Sequence, residues 1–279
     1  MIHEKIRIWN KGDYRSRPDD GFEPELDTYI LDGDRDRAAV LLCPGGAYRY
    51  VSPREGEPVA LQFNAAGFNA FVLHYSVAPC RHPAPLLDVS RAMCLIREHA
   101  AAWRISPDKI AVCGFSAGGH VAASLAVGWD EPAALGAPGI ERGMNRPDAL
   151  ILGYPVISSG EYAHRESIDN LLGPNASPEE IREVSLELNV NPKMPNAFIW
   201  HTWDDASVPV ENSLLFAQAM RRCDVPFELH IYPKGTHGLS LATPETGDGP
   251  RGSDPHVASW MDLCVDWLGD LYRQNPDRH

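Results

Sequence analysis

The stretch Lys109-Ile110-Ala111-Val112-Cys113-Gly114-Phe115-Ser116-Ala117-Gly118-Gly119-His120 decides how the rest of the chain is read. Ile110 to Cys113 is continuously apolar, Gly114 to Gly119 is glycine-rich, and the residues from His120 to Val127 have helical character. The order is strand, sharp turn, helix, with Ser116 at the turn. A G-x-S-x-G pattern needs this context, because the strained turn lifts the serine hydroxyl above the sheet edge while the flanking glycines let the two backbones pass closely.

Working outward, Ala38 to Cys43 is an apolar run of the kind expected of a strand buried on both faces, and it stops at Pro44-Gly45-Gly46-Ala47-Tyr48. Ser52-Pro53-Arg54-Glu55 carries an N-cap, a first-turn proline and a capping-box glutamate for a helix reaching about Ala66. Asn69 to Tyr75 is the next strand. A helix follows Pro79 and Pro85, with Val89, Met93, Ile96, Ala100 and Trp103 as its packing stripe. Ser106-Pro107-Asp108 is expected to turn the chain into the serine strand. Ahead of all this, Lys5 to Trp9 and Leu26 to Leu31 resemble a hairpin leading the sheet.

On the other side of Ser116, strands are expected at Ala149 to Tyr154, Ala197 to Trp200 and Phe227 to Tyr232. Helices are expected at Val210 to Cys223 and after Asp254-Pro255, the last with the stripe Val257, Met261, Cys264, Leu268 and Leu271. Residues 157–191 break the alternation and are expected to form a short cap-like insertion, with helices near Ser167 to Leu172 and after Ser177-Pro178. The alternation of β and α predicts an α/β fold whose central sheet is mainly parallel, with helices on both faces, over residues 1–279 as one domain.

Composition narrows the partners. With 279 residues and 44% hydrophobic content the chain can bury a sizeable core. A formal charge of -13 offers no electrostatic footprint for nucleic acid or an anionic membrane, and a neutral small-molecule substrate fits better. No stretch reaches the length of a membrane span and the start lacks the apolar core of a signal peptide, so the expectation is a cytoplasmic protein. Cys43, Cys80, Cys94, Cys113, Cys223 and Cys264 have no C-x-x-C spacing and read as buried thiols. The histidines show no metal-binding spacing, so neither a metal nor a cofactor is expected.

A serine hydroxyl needs a base within hydrogen-bond reach and a carboxylate to orient that base. The loops after the later strands supply candidates in the order acid, then histidine. His201-Thr202-Trp203-Asp204-Asp205-Ala206-Ser207-Val208-Pro209 follows one strand and Pro233-Lys234-Gly235-Thr236-His237-Gly238 the next. Among the histidines, His120 lies in the helix after the serine and His201 at a strand end, both read as structural. His256 opens a helix beyond the expected loop. His237 is left as the base.

Together these motifs make the sequence resemble α/β-hydrolase-fold serine esterases, and more narrowly the bacterial acetyl xylan esterase-like proteins, from Val40 to Leu268. Many such proteins carry H-x-x-x-D-x-x-V-P after this strand, which implies Asp205 as the acid, with Asp204 as the fallback. The resemblance implies an oxyanion hole made by the backbone N–H of Ala117 and one from Gly46 or Ala47, although Pro44 stands where related esterases have the histidine of H-G-G-G. It further implies hydrolysis of acetyl esters on small carbohydrates, such as xylo-oligosaccharides, through an acyl-serine intermediate. Tyr48, beside the glycine loop, and Trp203, beside Asp205, are candidate sugar contacts by position. The competing readings are a feruloyl or aryl esterase, an arylformamidase, or a binding protein without activity. Oligomeric state is not legible.

Overall fold

The computed structural model describes residues 1–10, 12–13, 21–247 and 252–274. Eight strands form one sheet: β1 (Lys5–Arg7), β2 (Glu25–Tyr29), β3 (Arg37–Cys43), β4 (Asn69–His74), β5 (Ile105–Phe115), β6 (Ala149–Gly153), β7 (Ala197–Thr202) and β8 (Phe227–Tyr232). Their spatial order is β1-β2-β4-β3-β5-β6-β7-β8. β1 and β2 pair antiparallel, as does β2 with β4, and every later pairing is parallel. The helices are α1 (Glu57–Ala65), α2 (Ala84–Glu98), α3 (Ala117–Gly128), α4 (Pro132–Leu135), α5 (Arg165–Leu172), α6 (Pro178–Glu183), α7 (Glu211–Arg222), α8 (Pro255–Ala258) and α9 (Trp260–Gln274).

Apolar runs become central strands because both faces of the sheet are covered. In β3, Leu41 and Cys43 face α2, α3 and α7, where Val89, Met93, Val121, Leu125, Phe216 and Met220 pack. Val40 and Leu42 face the opposite side, against Val59 and Phe63 of α1 and Trp260, Cys264 and Leu268 of α9. The alternation is the two-residue period of a strand, with no polar face to interrupt it. All six cysteines are free thiols, and all but the half-buried Cys223 are buried. Among the described residues, no helix is long and apolar enough to cross a membrane.

Four expectations need correcting. Ser106-Pro107-Asp108 does not end an element: β5 runs through it, and the pairing with β3 shifts register between Arg37 and Ala39 to absorb the extra residues. Ser52 makes no side-chain cap, and Pro53–Glu55 is a separate 3-10 turn before α1. The α2 stripe outruns its helix, which stops at Glu98 before Ala100 and Trp103. The C-terminal helix is two: Asp254 Oδ1 accepts the N–H groups of His256 and Val257 to open α8, and α9 starts afresh at Trp260.

The parallel register brings the carboxyl ends of β3, β5, β6, β7 and β8 to one edge, where ligands of open α/β sheets bind. Residues between β6 and β7 hold α5 and α6, the latter opened by a full Ser177/Glu180 capping box. This insertion is fastened to the body by Asn212, whose Oδ1 accepts the N–H groups of Ile157 and Ser158, both at 2.9 Å.

Candidate active site

Ser116 stands between β5 and α3 at φ 53 and ψ -123, a region that costs a non-glycine residue energy and must be imposed by its surroundings. The imposition is steric. A Cβ on Gly114 would lie 2.2 Å from Gly118 O, and one on Gly118 would lie 2.0 Å from Cys43 O, so strand, turn and helix are closer than any side chain allows. Backbone bonds fix the rest: Ser116 N–H donates to Gly153 O at 3.1 Å, and Ser116 O accepts Val156 N–H at 2.9 Å.

The loops after β7 and β8 converge on this serine. Ser116 Oγ and His237 Nε2 are 2.8 Å apart, and His237 Nδ1 lies 2.6 Å from Asp205 Oδ2. Asp205 Oδ1 accepts the N–H groups of Ser207 and Val208, both at 2.9 Å, while Oδ2 also lies 3.4 Å from His201 Nε2. Burial alone would raise the Asp205 pKa. Hydrogen bonds from His201, His237 and the Val208 N–H, with the charge of His237, outweigh it and hold the carboxyl well below the usual range. The acid is therefore ionised and accepts a proton-bearing Nδ1, which leaves Nε2 as the acceptor for the serine hydroxyl.

The neighbouring carboxylate points elsewhere: Asp204 Oδ1 accepts the Gly235 N–H at 2.6 Å. His201 is fully buried between Ser213 Oγ (2.8 Å) and Val208 O (3.0 Å). His120 is likewise interior, with Nε2 on Val184 O and Nδ1 on the Tyr48 hydroxyl, both at 2.8 Å, and burial pushes its pKa down to about 4. His256 opens α8, away from these contacts.

Facing Ser116 is the loop Pro44 to Tyr48, with Ala47 at φ 54 and Tyr48 at φ 56. The N–H groups of Gly46 and Ala47 make no hydrogen bond to any described residue. Ala117 is the first residue of α3, so its N–H has no partner within the helix. All three expected donors are thus free to meet a ligand. Tyr48 departs from expectation. It is 2% exposed and turned inward onto His120, so its ring braces the loop rather than offering a face to a sugar. Trp203 is 66% exposed.

Several residues around the site escape sequence reasoning. Asn170 of α5 donates to Ala47 O at 2.8 Å, and the Tyr75 hydroxyl donates to Pro44 O at 2.6 Å. His164, at the start of α5, is close enough to His237 and Asp205 to feel their charges; burial chiefly lowers its pKa, with His237 adding to the effect. Tyr154 packs its ring on His237 at 5.0 Å, and Glu55, read as a helix cap, instead accepts the Gly45 N–H. The signal for Tyr154 is its place directly after β6, at the ligand edge of the sheet; the others have no local signature. Among the described residues, no group of three or more His, Cys, Asp and Glu side chains is placed to share a metal ion.

Comparison with known proteins agrees with the architecture. The profile of a family described as alpha/beta hydrolase fold matches residues 40–241. The chain is 41% identical over 258 residues to an endo-1,4-beta-xylanase B of Butyrivibrio fibrisolvens, covering 91% of this chain and 40% of that protein. It is 33% identical over 211 residues to an acetylxylan esterase of Xylanibacter ruminicola, covering 74% of this chain and 42% of that one. It thus spans about two fifths of the length of these curated relatives. A solved acetyl ester-xyloside bifunctional hydrolase from Caldicellulosiruptor lactoaceticus superposes with a TM-score of 0.86 at 41% identity, covering 96% of both chains. With the serine turn, the sheet order and these matches in agreement, the chain belongs to the α/β-hydrolase fold family.

Proposed function

We propose that the protein is a serine esterase that removes acetyl groups from small carbohydrates, acetylated xylo-oligosaccharides in particular, through an acetyl-Ser116 intermediate. The observation that carries the reading is the continuous contact from Ser116 Oγ through His237 to Asp205, at 2.8 and 2.6 Å. Ser116 Oγ attacks the ester carbonyl carbon while its proton passes to His237 Nε2, and the carbonyl electron pair moves onto oxygen. The N–H groups of Ala117 and of Gly46 or Ala47 stabilise that oxyanion. Collapse expels the sugar oxygen, which takes the proton from Nε2. Water then attacks the acetyl-serine with the same histidine as base, releasing acetate and restoring the hydroxyl.

The substrate class is supported by the acetyl-ester names of the relatives, by the exposed indole of Trp203 beside Asp205, and by a net charge of -13 that disfavours acidic polymers. The test is acid release across acetylated and feruloylated oligosaccharides, with Ser116→Ala and Asp205→Asn alongside. Acetate release is expected, abolished by Ser116→Ala, and lowered about 10⁴-fold in turnover by Asp205→Asn, since an amide can favour the wrong imidazole tautomer. Preferential ferulate release would move the assignment to feruloyl esterases, and turnover by a folded Ser116→Ala protein would end it.

A further inference from the structure

Glu55 is a carboxyl group, 3% exposed, that the reaction above does not use. Its two oxygens take different donors: Oε2 accepts the Gly45 N–H at 2.7 Å, and Oε1 accepts the Tyr154 hydroxyl at 2.6 Å. The direction of the second bond follows from a third. The Tyr154 oxygen accepts the Ser240 N–H at 2.9 Å, so its own proton is the one turned to Glu55. Burial, and then the charge of Glu55, push the Tyr154 phenol well above its ordinary pKa, which keeps it a donor. A continuous buried path therefore runs from Gly45 through Glu55 and Tyr154 to Ser240.

The ends of that path matter. Gly45 directly precedes Gly46 and Ala47, the oxyanion donors of the proposed reaction, and the Pro44–Gly45 peptide is held at its other end by the Tyr75 hydroxyl on Pro44 O. Ser240 lies just past His237, and the His237 ring meets the Tyr154 ring edge-on at 5.0 Å and 73°. Burying a carboxylate is costly unless its acceptors are filled; here one donor is the Gly45 N–H of the oxyanion loop, and the other is the Tyr154 hydroxyl, which in turn accepts the Ser240 N–H of the His237 loop.

We infer that Glu55 and Tyr154 form a positioning pair that holds the Gly45–Ala47 loop and the His237 loop at one fixed spacing, so that the N–H donors and the imidazole meet the same substrate carbonyl. The inference rests on the esterase reading above. Neither side chain touches substrate in this scheme; their effect is exerted through Gly45 and through His237. Misplacement of reacting groups by about 1 Å can cost 10²-fold in rate, so the pair governs turnover more than binding.

The experiment uses the full chain with Tyr154→Phe, Glu55→Gln, the double variant and Ser116→Ala. Tyr154→Phe removes one oxygen and keeps the ring on His237; Glu55→Gln puts an amide donor where two donors already point. Kinetics on p-nitrophenyl acetate are read beside inhibition by a trifluoromethyl ketone, whose adduct with a serine places an oxyanion in the same donors. Each single variant is expected to lose about 10- to 100-fold in kcat with KM nearly unchanged, and to lose ketone affinity in step. The double variant is expected to cost no more than the worse single, because the path is one unit. A merely structural role would lower the melting midpoint and leave kcat and ketone affinity in place. A folded Tyr154→Phe protein with wild-type kcat and ketone affinity overturns the inference, as does full additivity in the double. If Ser116→Ala is inactive while that happens, the esterase reading stands and only the positioning pair falls. An active Ser116→Ala overturns both.

Discussion

The loop after β5 and the loop after β3 both present backbone to the same point, yet they are shaped in opposite ways. The Ser116 turn is made by its own neighbours: Gly114 and Gly118 face each other across it, and the first turn of α3 follows at once. The Pro44–Tyr48 loop is held from a distance, by Glu55, Tyr75, Ala78, His120 and Asn170 on four separate pieces of chain. A turn of the first kind is written in consecutive letters. A loop of the second kind is written in residues whose meeting only the folded chain brings about.

The largest effect is expected from breaking the local device. Gly118→Ala would drive a methyl group to 2.0 Å from Cys43 O and 2.3 Å from Pro44 O, both backbone atoms of the strand and loop alongside. Neither can move without dragging β3, so the loss of stability should be at least about 3 kcal/mol. Urea melts of the wild type and variant measure it, and a midpoint shift corresponding to less than about 1 kcal/mol would mean that the close approach is not what fixes the elbow.

His120 is where the two regions join, since it belongs to α3 but bonds the Tyr48 hydroxyl and Val184 O. Its pKa falls from 6.5 to about 4 because burial disfavours the charged ring. Between those values the unfolded chain binds a proton that the folded one does not, so stability rises with pH and is lost as pH falls below 6.5. The slope is at most about 1.4 kcal/mol per pH unit, and the whole effect about 3 kcal/mol. Half-buried His164, also lowered, adds in the same direction. Denaturant melts from pH 7 to pH 4.5 test this, with His120→Gln expected to flatten the dependence; an equally steep profile in that variant would assign the acid limb elsewhere.

A smaller effect is expected from cutting one distant anchor. Asn170→Ala removes the donor on Ala47 O, and Ala47 sits at φ 54, a conformation that its surroundings must sustain. One lost hydrogen bond is worth about 1 kcal/mol, so stability should fall slightly and kcat by about three- to tenfold. A variant with unchanged kcat would show that the remaining anchors are sufficient by themselves.

This contrast explains what the sequence reveals. The strands are legible because a sheet covered on both faces asks for unbroken apolar runs such as Val40 to Cys43 and Ile110 to Cys113, and the Ser116 turn because its glycines are adjacent. The places of Asp205 and His237 are legible because each follows such a strand. Glu55 misleads for the same reason: Ser52-Pro53-Arg54-Glu55 satisfies the local rule for a helix cap, but a carboxyl that can reach both Gly45 and Tyr154 is drawn into the interior instead. Tyr48 reads as a sugar contact because it borders a glycine loop, and nothing near it announces His120, which waits 72 residues away. Ser106 to Asp108 reads as a turn by composition, whereas it lies inside β5 as an irregularity between the Arg37–Ile105 and Ala39–Ile110 pairs with β3.

The smallest effect expected belongs to Asp204, and it sharpens the comparison because two adjacent, chemically identical side chains are assigned opposite weights. Asp204 accepts the Gly235 N–H through Oδ1, a bond at the exposed surface that an amide oxygen can accept equally well. Asp205 instead has a fully buried carboxylate shared by His237, His201 and two backbone N–H groups, where an amide would bring a donor against donors. Asp204→Asn removes one charge near the site, but across solvent that charge is screened and contributes little to stabilising an imidazolium. Its kcat on a soluble acetyl ester should stay within about twofold of wild type, with an unchanged circular dichroism spectrum and melting midpoint. A folded, inactive Asp204→Asn beside an active Asp205→Asn would reverse the two roles. It would mean that the β7–β8 loops rearrange when substrate binds, bringing Asp204 rather than Asp205 onto His237.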